Sequence, residues 1–94
     1  MSNIVTIQTK YQSKAKLFPT TGSIVVSEID STSVKYFRWN STLKWLTVEY
    51  AQGTKYLYKG VEFGTVVSLL TADSVGKAIN AEVKGHHVYE KVED

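Results

Sequence analysis

Two short stretches of the chain carry side chains that could act together on one ligand. Ser74-Val75-Gly76-Lys77-Ala78-Ile79-Asn80 reads as the opening of a helix with a hydroxyl, a glycine and a lysine on its first turn. Amides at a helix start lack intrahelical partners and carry partial positive charge, so such a turn suits an anion. Tyr56-Leu57-Tyr58 reads as a strand whose alternation puts both phenols on one face of a sheet. A ring so placed can stack on a base, which contributes about 1–3 kcal/mol per base. Together the two stretches predict a surface for a base and a phosphate.

Helical spacing puts Ser74, Lys77, Asn80 and Lys84 on one face, opposite Val75, Ile79 and Val83. There Lys77 supplies charge, Gly76 loosens the opening amides, and Asn80 offers a donor and an acceptor to a base edge or a ribose hydroxyl. The glycines of a Walker loop do not precede them. The plainer alternatives are an N-cap with a wetted polar face and, for at least one of Tyr56 and Tyr58, core packing beneath helices. Arg38 is the single arginine, so a planar bidentate phosphate clamp can be built only there; a solvated or salt-bridged side chain is its alternative. Its odd spacing from Lys35 predicts opposite strand faces for the two. Trp39 and Trp45 are expected to be exposed, and Trp45, out of phase with Leu46, Val48 and Tyr50, is the candidate interface residue. His86 and His87, adjacent in an expected strand, point apart and predict no metal site. Without cysteine, and with no Ser/His/Asp arrangement, the chain reads as a binding protein and not an enzyme, with no cofactor.

These elements must be positioned by a small core. Ninety-four residues make one domain that buries about 60–70% of its unfolded surface. The absence of cysteine excludes a disulfide framework and a thiolate zinc site. No apolar run approaches the roughly 18–20 residues of a membrane span, and Met1 to Lys10 lack a signal-peptide apolar region, so a cytoplasmic protein without a membrane partner is expected. Net charge is +2, far from the basic profile of a duplex-DNA binder, though small anions and single strands remain compatible. No acid precedes Glu28, whereas Glu90, Glu93 and Asp94 close the chain.

Residues 1–30 read as an N-terminal extension with one or two short strands: Val5 and Ile7 alternate with polar residues, and Ser23 to Ile29 could pair with them. Residues 31–94 carry sharper signals. Val34 to Trp39 is a strand, Asn40-Ser41-Thr42 a turn, Leu46 to Tyr50 a strand with one buried face, and Gln52-Gly53 a hairpin connection to Thr54 to Lys59. Phe63, Val66, Val67 and Leu70 fall at helical spacing, a helix lying on the sheet, and Phe63, Val66, Leu70 and Ile79 are expected to be buried against Leu46 and Val48. Asp73-Ser74 caps a second helix that Gly85 ends, and His86 to Val92 returns as a strand. The expected fold is a single small α+β domain, mainly antiparallel, with two helices on one sheet face.

From about Ser31 to Val92 this pattern resembles the KTSC domain family. Ser31-Thr32-Ser33-Val34, Leu46-Thr47-Val48-Glu49-Tyr50, the Tyr56-Leu57-Tyr58 element followed by Gly60-Val61, Ser74-Val75-Gly76-Lys77 with Asn80, and Tyr89-Glu90-Lys91-Val92 stand in the family's order. Two positions depart from it. Ala78-Ile79 stands where two aromatics are frequent, which opens space near Asn80, and Glu62 stands where proline is frequent. Such domains occur at the C-terminus of some lysyl-tRNA synthetases and as standalone bacterial and phage proteins. The resemblance therefore implies RNA binding on one side and a phage anti-defence factor, working in the host cytoplasm, on the other.

Three functions are carried forward. The first is a non-enzymatic nucleotide-binding protein that sequesters a cyclic nucleotide or oligonucleotide signal, with a pocket made most easily between subunits of a homo-oligomer, a dimer or larger. The second is an RNA-binding accessory that uses its lysines along a groove. The third is a protein-protein interaction module centred on Trp45.

Overall fold

A computed structural model of the chain describes residues 4–92. Seven strands form one sheet in which spatial order equals chain order: β1 (Val5–Ile7), β2 (Lys14–Phe18), β3 (Ser23–Ser27), β4 (Val34–Asn40), β5 (Trp45–Tyr50), β6 (Lys55–Tyr58) and β7 (Tyr89–Val92). Every neighbouring pair is antiparallel. The helices α1 (Phe63–Thr71) and α2 (Val75–Glu82) lie between β6 and β7 in sequence. The α+β architecture is as expected.

Turn chemistry explains the hairpins. Asn40 Oδ1 accepts from the amides of Thr42 and Leu43 at 2.9 and 3.1 Å, and Lys44 takes a left-handed φ of 57° to close the β4–β5 connection. Gly53, at φ 97°, supplies the conformation that the β5–β6 hairpin needs. Alternation then gives the sheet two unlike faces. Phe37, Trp39, Leu46, Val48 and Tyr58 face the helices and are buried, whereas Arg38 and Trp45 face outward. A β-bulge between Val34 and Tyr36 puts Val34 and Phe37 both in the core despite their odd spacing. The parity argument that separates Lys35 from Arg38 therefore does not hold across this segment.

The first thirty residues carry three strands and not one or two. Ser23–Ser27 pairs with β2 and β4, not with β1, because Lys14–Phe18 intervenes. These strands share the core of the rest: Ala15, Ile24 and Val26 are buried in the same cluster as Phe37 and Val48. Tyr11, in the β1–β2 connection, ties them to the helices. Its hydroxyl donates at 2.8 Å to the carbonyl of Leu69, one of the last carbonyls of α1, which have no intrahelical donor.

Burial raises the Tyr11 pKa from 10 to about 12. The fold therefore holds this proton more tightly than the unfolded chain does, so the stabilisation is complete below about pH 10 and is lost as pH rises toward 12. Urea midpoints should fall across that interval, and Tyr11→Phe should flatten part of the fall while costing about 1 kcal/mol at neutral pH. A wild-type midpoint constant through that window would contradict the buried environment of Tyr11.

One expected burial and one expected exposure are corrected. Phe63 is 57% exposed, since α1 begins at that residue and its buried stripe is Val66, Leu69 and Leu70; Val67 is also exposed. Trp39, expected at the surface, is 4% exposed: its ring packs against Phe63 and its Nε1–H donates to the Val61 carbonyl at 2.8 Å. In α2 the stripe Val75, Ile79 and Val83 is buried as expected, and Ser74 is the N-cap.

Candidate functional site

Tyr56 and Tyr58 lie on the helix-covered face of β6, because their register partners Val48 and Leu46 do. Pairing of β6 with β7 sets Tyr89 opposite Tyr58 on that face. Tyr50, at the end of β5, completes a group of four rings with centroid separations of 5.7 Å (Tyr56–Tyr89), 5.9 Å (Tyr50–Tyr56 and Tyr58–Tyr89) and 6.4 Å (Tyr56–Tyr58). Edge-on and tilted contacts of this kind hold aromatic groups rigidly. Tyr58 is buried and Tyr56 half-buried, whereas Tyr89 is 59% exposed. Core packing thus accounts for Tyr58, and the accessible faces belong to Tyr56 and Tyr89.

The end of α2 closes the group. Val83 and Lys84 both donate from their amides to the Ile79 carbonyl at 2.9 Å, and Gly85 then turns the chain at φ 81°. This places Lys84 Nζ 4.9 Å above the Tyr50 ring. Among the described residues no carboxylate pairs with Lys84. Tyr56, Tyr58, Lys84, Gly85 and Tyr89 line a cleft of about 420 Å³.

The hydroxyls of Tyr50 and Tyr58 share a hydrogen bond of 2.9 Å. Burial pushes both phenols above their ordinary pKa; the shared bond pushes Tyr50 further up and Tyr58 back down. Both rings are therefore neutral at physiological pH, and the charge on Lys84 is not cancelled by a tyrosinate.

The other residues singled out in the sequence lie elsewhere. Ser74 Oγ accepts from the Lys77 amide at 3.4 Å, so the hydroxyl serves the cap. Gly76 does not loosen the helix: a Cβ there would overlap Ser33 Oγ, and the glycine admits the Ser31–Ser33 segment against α2. Lys77 and Asn80 are exposed. Ser74 and Lys84 lie ten positions apart, about 15 Å along the helix at 1.5 Å per residue. The structure thus brings Lys84 to the tyrosines and leaves Ser74, Gly76 and Lys77 at the far end of α2. Arg38, opposite Thr47 and Val25, and Trp45, with Lys59 Nζ at 5.6 Å from its ring centroid, occupy the uncovered sheet face.

His86 and His87 precede β7, so strand alternation does not describe them; His87 Nδ1 donates to the Lys59 carbonyl at 3.1 Å. Among the described residues no group of three His, Asp, Glu or Cys could hold a metal ion. No helix among them is long and apolar enough to cross a membrane. Sequence reasoning missed Gly85 and Tyr89 as cleft residues, and Tyr50 as a member of the ring group behind them. Tyr89 was legible only as part of a tail pattern, since its partner across the sheet is set by β6–β7 pairing.

No curated protein matches the chain. The structure is similar to the crystal structure of a KTSC domain protein from Yersinia pestis, with a TM-score of 0.64 and 22% identity over 68% of this chain and 90% of that one. At that identity the likeness shows a shared fold. The KTSC domain family model matches residues 30–89, a span that runs from the Ser31–Ser33 segment through both helices to Tyr89. The segments that meet at Gly76 and the rings that meet at the cleft all fall inside that span, and the chain belongs to the KTSC domain family.

Proposed function

We propose that this chain is a non-enzymatic nucleotide-binding protein whose tyrosine cleft takes the base and whose Lys84 takes a phosphate. The observation that supports this best is the lining of the cleft: aromatic faces, a glycine and one cation that has no carboxylate partner among the described residues. Its volume falls within the roughly 300–1,000 Å³ of small-ligand pockets. Tyr56 and Tyr89 offer the stacking faces, and Gly85 leaves room beside the ammonium group. The nearby C-terminal carbonyls of α2 repel an anion on the helix axis, so the phosphate sits on the outer side of Lys84 Nζ. A lining of phenols and one amine, without a carboxylate, fits holding better than turnover. The corresponding role is sequestration of a cyclic nucleotide or oligonucleotide signal, as a phage anti-defence sponge would act.

Calorimetry with mononucleotides, cyclic nucleotides and short oligonucleotides tests this reading. Binding without turnover is expected. Lys84→Ala should weaken it by about 1.5–3 kcal/mol, the scale of a hydrogen bond to a charged group. Tyr89→Ala should cost about 1–3 kcal/mol of affinity with little effect on stability. Lys77→Ala, remote from the cleft, should change nothing. Undiminished affinity in Lys84→Ala would place the site elsewhere.

A second reading, an RNA-binding accessory, draws on the uncovered sheet face, where Arg38 and Lys16 have no ion-pair partner among the described residues. It would show as a salt dependence corresponding to roughly six or more phosphates, which a small nucleotide cannot produce.

A further inference from the structure

We propose that β7 pairs with β7 of a second copy of this chain, antiparallel about a two-fold axis normal to the sheet, with Tyr89 opposite Lys91 of the partner subunit. Among the described residues β7 is an outer strand, bonded on one side only, to β6. The Lys59 amide donates to the Val88 carbonyl at 2.8 Å, which makes 59/88 a hydrogen-bonded pair of the β6–β7 ladder. Such pairs alternate along an antiparallel ladder. The next are Leu57/Glu90 and Lys55/Val92, while Tyr58/Tyr89 and Tyr56/Lys91 are not bonded to one another. The backbone N–H and C=O groups of Tyr89 and Lys91 therefore point away from β6, toward the open edge.

That parity selects a register. A two-fold axis normal to the sheet keeps like faces together, so facing residues must have the same parity in number. Centred on Glu90, it pairs Tyr89 with Lys91 of the partner subunit twice over and satisfies the outward groups of both residues in roughly four hydrogen bonds. Centred on Lys91, it would set two ammonium groups face to face. Centred on Tyr89, it would bond that residue to its own copy and leave Lys91 opposite a histidine of the turn. Only the Glu90 register uses the outward groups within β7 and separates the lysines. Each Glu90 carboxylate lies 3.8 Å from its own Lys59 Nζ, which offsets the meeting of the two glutamates at the axis.

Exposure agrees with this edge as a contact. Val88 is 75% and Tyr89 59% exposed, and Lys91 forms no ion pair among the described residues. Lys91 shares the helix-covered face with its register partner Tyr56, so Lys91 of the partner subunit comes beside the Tyr89 ring on the cleft side. Two tyrosine clefts then adjoin across the axis, each with a second cation. This joining of clefts rests on the nucleotide reading; the pairing itself does not.

Sedimentation of the full chain without nucleotide, from micromolar to millimolar concentration, should show a concentration-dependent dimer. Proline is tolerated on an edge strand where its missing N–H would face solvent, so Lys91→Pro should keep the wild-type circular dichroism and weaken dimerisation by at least about tenfold. Hydrogen exchange of the wild type supplies a test without substitution: the Tyr89 and Lys91 amides should slow as concentration rises, while Glu90 stays unchanged. A monomer at millimolar concentration overturns the proposal. So does a dimer that survives Lys91→Pro, or concentration-dependent protection in β1, the opposite edge, in place of β7. A dimer that binds no nucleotide leaves the pairing standing and removes the cleft reading; a monomer that binds one does the reverse.

Discussion

Trp39→Ala is expected to lower the unfolding free energy by about 3–5 kcal/mol, the range for removing a large buried aromatic side chain. The indole is 4% exposed and bridges β4 to the segment that leads into α1. Its loss opens a cavity beside Phe63 and strips the Val61 carbonyl of the donor it meets at 2.8 Å. A domain of this kind has roughly 5–15 kcal/mol in total, so the variant should be near the limit of folding. Trp39→Phe separates the two contributions. It keeps most of the packing and leaves the carbonyl unpaired, at a cost of about 1–3 kcal/mol. Urea unfolding followed by circular dichroism measures both, and a loss below about 1 kcal/mol for Trp39→Ala would contradict the burial of the ring.

Tyr58→Ala should be comparably severe, about 3–5 kcal/mol, although the residue lines the candidate cleft. The ring is 3% exposed, packs against Tyr56 and Tyr89, and shares a hydrogen bond with the buried Tyr50 hydroxyl. Removing it leaves that hydroxyl without its partner, whereas Tyr58→Phe isolates the hydrogen bond at about 1–3 kcal/mol. An alanine that reports stacking without unfolding the domain is therefore placed at Tyr89, whose ring is mostly outside the core. Thermal unfolding of the two alanine variants side by side should show a large drop for Tyr58→Ala and a small one for Tyr89→Ala. Equal drops would mean that the rings are packed alike.

What was legible in the sequence was local. The β4–β6 meander follows from alternation and two turn signals, and α2 follows from a cap, a three-residue apolar stripe and a terminal glycine. What was missed required partners distant in the chain. Lys14–Phe18 shows a weak pattern because Ala15 is its only fully buried residue, and its place as a strand depends on β1 and β3 on either side. In α1 the apolar residues outnumber the positions on one face, so spacing could not tell Phe63 and Val67 from Leu69. The β-bulge in β4 defeats any argument from parity across it. Lys84 joins the tyrosines, and Ser74 and Lys77 do not, because the cleft is built where β6, β7 and the end of α2 converge. That convergence is a tertiary fact.

Strand order equal to chain order has a consequence for the path of assembly. Five of the six strand pairings join segments adjacent in sequence, so each can close over a short loop as the chain emerges. Closure of short loops forfeits little entropy and favours rapid folding. The pairing of β6 with β7 alone must close over the interval between Tyr58 and Tyr89, which both helices occupy. With Tyr89, Glu90 and Lys91 exposed, detachment of β7 uncovers little of the core beyond the Tyr58 ring. The ring-lined cleft thus depends on the strand pairing with the longest loop to close, and a ligand held there would act as a latch on the final strand.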